Sequence, residues 1–162
     1  MAKFLLLLVI LLPLLNCVTI HFTVSSEKLA SFATKIFPIL FLGSLIGLYS
    51  NSHQQNPSLV LVELFDKISF AFAADKISFA FLFLLDFFWL IFAFYSQRFL
   101  ALSSVNNSSS LRIFLALIIA FLNLIILSKN LVTILFFYGA LVILSHFFAL
   151  QFIYRKENKF SQ

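Results

Sequence analysis

A single cysteine, Cys17, leaves the 162-residue chain without any intrachain disulfide framework and says nothing about redox compartment. Glycine and proline number three each, too few turn-formers for a loop-rich or many-stranded protein. Charged residues make up 10% of the chain, against about 25% in an ordinary soluble domain. The net charge is +5, but its Lys and Arg are scattered and form no patch for nucleic acid. No nucleophile–base pattern, Gly-rich phosphate loop or carboxylate dyad appears, and no third ligand accompanies His21 and His53. Catalytic residues, a metal and a cofactor are therefore not expected.

Apolar residues fill the space instead: 62% of the chain, with 24 phenylalanines and a mean hydropathy of +1.09. A globule this small has too much surface for its volume to hide roughly 100 apolar side chains. Lipid is the solvent for most of the protein, which excludes a soluble enzyme and a disordered tail.

A helix needs about 20 mostly apolar residues to cross about 30 Å of hydrocarbon. Five stretches meet that test: 4–22, 31–50, 77–97, 111–128 and 130–153. Helices are required because lipid offers no partner to a bare N–H or C=O. Lys129 divides 111–153, which as one helix would measure about 64 Å, twice the bilayer. The sequence therefore predicts an all-α membrane protein, one transmembrane domain over 1–162. Lys3, the run Phe4–Leu15 and Cys17 have the outline of a secretory or lipoprotein signal. Asn16 is the wrong residue before such a cysteine and the apolar run continues through Val18 and Ile20, which favours an uncleaved first helix.

Alternate loops divide the cations unequally. Lys28, Lys35, Arg98, Arg112, Arg155, Lys156 and Lys159 fall on one side, and Lys3, Lys67, Lys76 and Lys129 on the other. The positive-inside rule then puts the amino terminus outside and the carboxy terminus in the cytoplasm of a cell with an inner membrane. The Asn106-Asn107-Ser108 sequon accordingly faces inward.

Between the second and third spans, NSHQQNPS is a turn-forming cluster, and SLVLVELF, with Glu63, is too short to cross. DKISFAF occurs twice, at 66–72 and 75–81, and its period of two is that of a strand. A short outer hairpin or interfacial segment fits both copies, leading into the third helix at Ile77.

From Asp75 onward the order of features is specific. Asp75-Lys76-Ile77-Ser78 precedes a helix containing Trp89, Tyr95-Ser96 closes that helix, and Asn130-Leu131 opens the fifth. This resembles the amino-terminal third of the antiporter-like membrane subunits shared by respiratory NADH:quinone oxidoreductase and the multisubunit cation/proton antiporters. The likeness covers roughly 75–148, and 1–74 only through hydropathy and the connector. It implies a proton-translocating role with other membrane subunits as partners. In the family a glutamate on the fifth helix works with a lysine on a later one. Here Gly139 follows Phe137-Tyr138 at the glutamate's place, and the later helices are not among the 162 residues. The chain is expected not to be a complete pump by itself. A fainter similarity, of Tyr138–Leu144 to a mid-chain helix in a small five-helix subunit of the same complex, is set aside because here the segment lies in the last span.

Polar residues within spans are costly and are the default sites. Asp86 and Gly139 each lie nine residues from the outer ends of their helices, about 14 Å deep. If those helices touch, Asp86 places a carboxylate near the family's glutamate and Gly139 gives it room; a hydrogen-bonded carboxylic acid is the plainer reading. His146, about 10 Å further in on the face of Gly139, is a relay candidate or a packing histidine. Asn123 and Thr133 suit hydrogen bonds between helices, and Gly139 with Ala140 offers a small-residue packing face. The alternative to a transport subunit is a non-transporting structural membrane protein or a decayed transporter fragment.

An odd number of crossings separates the termini. Tags at the two ends, probed from one compartment of sealed vesicles, are expected to react at one end only, the amino-terminal tag answering from outside. Equal reactivity at both ends would contradict five spans.

Overall fold

The computed structural model describes the chain apart from residues 24–25, 53–56, 66–67, 103–107 and 161–162, and describes no side chains at 27, 61–68, 96–109 and 151–160. His53, Asp66, Lys67, Asn106 and Asn107 lie outside the described residues, as do the side chains of Glu63, Ser96, Arg98, Arg155, Lys156 and Lys159. The elements follow one another as α1 (Ala2–Phe22), α2 (Glu27–Ser52), β1 (Ser58–Phe65), β2 (Ile68–Ala73), α3 (Lys76–Leu102), α4 (Ser108–Leu127) and α5 (Leu131–Phe160). All five helices are long and apolar enough to cross a membrane. The protein is an all-α multi-pass membrane protein with one antiparallel hairpin between α2 and α3.

Helices α1 to α4 close into a ring: α1 packs on α2 and α4, and α3 on α2 and α4. Each turns a seam inward at spacings of three and four residues. In α1 the seam is Leu6, Val9, Pro13, Asn16 and Ile20; in α3 it is Phe79, Leu82, Asp86, Trp89 and Ala93. Arg112, Ala116, Ile119, Asn123 and Leu127 form that of α4. Such spacing keeps one stripe facing a partner over many turns. Edge-on aromatic pairs join α2 to α3, Phe41 with Trp89 at 5.6 Å and Tyr49 with Phe79 at 5.4 Å between centroids. At the end away from the hairpin, the Lys35 ammonium lies 5.9 Å from the centre of the Phe94 ring.

Helix α5 stands outside this ring, against α4 and β2. Only 6% of its span is buried, against 28–39% for the other four. Phe148 stacks on Phe114 of α4 at 3.7 Å, and Phe136 and Phe137 meet Phe70 of β2.

The hairpin pairs Ser58 with Ala73 and Phe65 with Ile68, and Phe72 is fully buried against the end of the ring. The step Ser128–Asn130 between α4 and α5 completes it. Lys129 N–H donates to the Ala71 carbonyl at 2.9 Å, and Asn130 Nδ2 to the Ser69 carbonyl at 2.9 Å. Two carbonyls along the edge of β2 that would otherwise face lipid or water thereby gain donors.

The two DKISFAF copies take different structures. From Ile68 the first forms β2; the second begins α3 at Lys76. Local sequence cannot be the cause, so context is. Asp75 accepts a hydrogen bond from Ser78 N–H at 2.7 Å, an N-cap within the second copy, and the apolar run Leu82–Leu85 beyond the repeat carries the helix on, where the first copy is followed by Ala73-Ala74-Asp75. Ser78 Oγ then donates to the Ile126 carbonyl of α4 at 3.2 Å.

The Ser78 N–H bond holds the Asp75 carboxyl below its ordinary pKa of 3.8. A lowered pKa gives stability that is present above the unfolded value and lost as pH falls through the folded one. Asp75→Ala is therefore expected to cost about 1 kcal/mol at neutral pH. Thermal melts of the purified protein should show the gap between variant and wild type closing as pH falls below 4.

Candidate functional site inside the helix ring

Pro13 sits within α1 and has no N–H to give the carbonyl four residues back, that of Val9. In lipid such a carbonyl must find another donor. Asn123, fully buried on α4, supplies it: Nδ2 donates to the Val9 oxygen at 2.9 Å. This bond crosses from α4 to α1 and sets their register.

The other polar residues on the seams are less satisfied. Asp86 is fully buried, and neither of its carboxyl oxygens has a hydrogen-bond partner. Asn16, 1% exposed, has a partner for neither Oδ1 nor Nδ2. Arg112 is 9% exposed, with Nε unpartnered, and Asn123 Oδ1 is also unpaired. Buried polar atoms normally have at least one partner, so each of these exceptions calls for a physical explanation. Asp86 is ten residues into its span, about 15 Å from the start and near the middle of the hydrocarbon.

These groups are not spread evenly. Towards the hairpin the ring holds Leu6, Leu45, Leu48, Phe72, Phe79 and Leu82, all buried and apolar. Beyond Asp86, at the far end, a cavity of about 10 Å³ is lined by Asn16 and Ile20 of α1, Thr34 of α2, Trp89 of α3 and Arg112 of α4, among others. Trp89 is one turn past Asp86 on the same seam. The site is thus a small, mostly apolar void with Asn16, Thr34 and Arg112 on its wall, one turn beyond the buried Asp86 carboxyl.

Sequence reading singled out Asp86 and Asn123, and both lie on inward seams. It passed over Asn16, weighed only against signal cleavage, and Arg112, counted as a loop charge. The spacings 9, 13, 16, 20 and 112, 116, 119, 123 would have placed both inside.

The residues of α5 lie elsewhere. Gly139 and Ala140 are half-buried, and nothing lies within 4 Å of where a Cβ on Gly139 would be. His146 is exposed on the outer helix. Because α5 packs on α4 and β2, Asp86 faces the ring interior while Gly139 is on a helix outside it. The structure does not bring the two together. Thr133 is fully buried, but its hydroxyl meets the Ser69 carbonyl of the hairpin at 3.5 Å, not another helix. His21 is exposed beside Phe22, and among the described residues no group of His, Cys, Asp and Glu could hold a metal.

No protein-family model matches the chain, and no curated protein does.

Asn123→Leu leaves the Val9 carbonyl without its donor and is expected to destabilise the protein by about 1 kcal/mol. Pro13→Ala restores an N–H to that carbonyl, so the double variant should recover most of the loss. Identical melting of wild type and Asn123→Leu would mean that the bond contributes nothing.

Proposed function

We propose that the chain is a membrane subunit of a cation/proton antiporter or respiratory complex, working together with helices from other subunits. The observation that carries this reading is Asp86, a carboxyl buried at mid-span with both oxygens unpartnered. An intramembrane carboxylate is expensive, and its usual use is on an ion or proton path. The resemblance of 75–148 to the antiporter-like subunits points the same way. Several of its motif residues have visible structural work: Asp75 caps α3, Ser78 ties α3 to α4, and Asn130 ties the start of α5 to the hairpin. The uncovered face of α5 is consistent with further helices from a partner.

In this reading the hairpin end, with the amino terminus, faces outward, and the end carrying Arg112 faces the cytoplasm across an inner membrane. The chain contributes a proton-handling carboxyl to an assembly and does not pump alone.

One observation favours a second reading, a non-transporting structural protein or a decayed transporter fragment. At the place of the family's glutamate stands Gly139, with open space around it.

Two measurements separate these. The tagged chain, solubilised from its own membranes, is expected to migrate on blue-native gels within a larger assembly; migration as a lone monomer supports the second reading. Asp86→Asn is expected to leave that assembly intact and to abolish its ion-coupled proton movement in vesicles. Unchanged transport would remove Asp86 from the path.

A further inference from the structure

Helix α2 carries its own proline, Pro38, and it too leaves a carbonyl one turn back, that of Thr34, without a helical donor. The Thr34 hydroxyl is already committed, donating to the Ala30 carbonyl at 2.7 Å. Thr34 lines the far-end cavity together with Asn16 and Arg112. Three needs therefore converge on one void. They are an amide with neither end partnered, a guanidinium Nε–H with no acceptor, and a carbonyl whose i+4 residue has no N–H. The void of about 10 Å³ is close to the room one water requires, and a buried water needs two to four polar partners.

We propose that this cavity is a water site, in which water bridges Asn16, Arg112 and the Thr34 carbonyl and gives Asp86 its contact with solvent from the far end of the ring only. The hydrogen-bond count closes. The water accepts from Arg112 Nε–H and Asn16 Nδ2 and donates to Asn16 Oδ1 and the Thr34 oxygen. The unpartnered side-chain atoms of Asn16 and Arg112 then each have a partner. At Val9 the protein answers a proline-freed carbonyl with its own amide; at Thr34 it leaves the task to solvent. Asp86 lies one turn from Trp89 in the cavity wall. On its other side Leu82, Phe79, Leu45 and Leu48 are tightly buried, and Phe72 seals the hairpin end. This inference stands on the ring alone and holds whether or not the chain serves an antiporter.

Water-edited solid-state NMR tests it on the full chain in lipid vesicles, with ¹⁵N in asparagine and ¹³C in aspartate. The Asn16 side-chain amide is expected to draw magnetisation from water as fast as exposed Asn51, and the Asp86 carboxyl to follow. Ala116→Ile, which fills the void, should slow both several-fold. Asn16→Leu, which removes the polar lining without adding bulk to α4, should slow Asp86 likewise. The Asn123 amide signal, set by its bond to Val9, reports in each variant that the ring has formed. Wild-type transfer to Asn16 as slow as Asp86 transfer in Ala116→Ile overturns the water. Asp86 transfer unchanged in both variants overturns the route.

Discussion

The Asn123–Val9 bond is the point from which the rest of the ring is best understood. A bilayer has no solvent to repair a broken helical ladder, so a proline in a spanning helix creates a demand that another segment must meet. Pro13 makes that demand on α1, and a single amide on α4 meets it at 2.9 Å, fully buried. With α1 and α4 held in that register, α2 packs between α1 and α3, and α3 returns to α4, to close the ring. The same rule governs the hairpin. The Ser69 and Ala71 carbonyls of β2 receive donors from Asn130 and Lys129, so the short link between α4 and α5 is also the third side of the sheet.

Within the ring, polarity is divided lengthwise. The half nearest the hairpin is packed with Leu and Phe and closed by Phe72; the other half carries Asn16, Thr34 and Arg112 around a small void. Asp86 lies at the boundary. A carboxyl placed in the middle of a uniformly apolar core would be a defect, because nothing there could compensate it. Asp86 instead lies one turn from a void that has Asn16, Thr34 and Arg112 on its wall, with packed Leu and Phe on its other side.

The spans were legible because bilayer thickness sets a length that hydropathy can count, and the tight break at Lys129 was visible as a charge inside an apolar run. The first DKISFAF announced a strand by its period of two, whereas SLVLVELF, legible only as too short to cross, is the strand it pairs with. The second DKISFAF could not be read the same way, since identical residues form a strand at 68–72 and a helix from Lys76 onward. What separates them lies after the repeated letters: Ala73-Ala74-Asp75 follows the first copy, whereas the apolar run Leu82–Leu85 follows the second and carries the helix on. The site was only half legible. Asp86 stood out because an acid in a span is rare, whereas Asn16 and Arg112 sit close enough to span ends to pass for interface or loop residues. Their inward direction depends on seam phase, which a count of charges per loop ignores. Distance between helices was not legible at all: depth placed Asp86 level with Gly139, but the ring order puts α5 outside.

Helix α5 is fastened unevenly. Asn130, Thr133, Phe136 and Phe137 bolt its first two turns to the hairpin, while further along the stacked pair of Phe148 and Phe114 holds it to α4. The sheet holds its first turns through hydrogen bonds and rings, and α4 packs along its length. Because Phe137 lies against Phe72, 5.9 Å between ring centres, a partner seated on the outer face of α5 would adjoin the residue that closes the hairpin end of the ring.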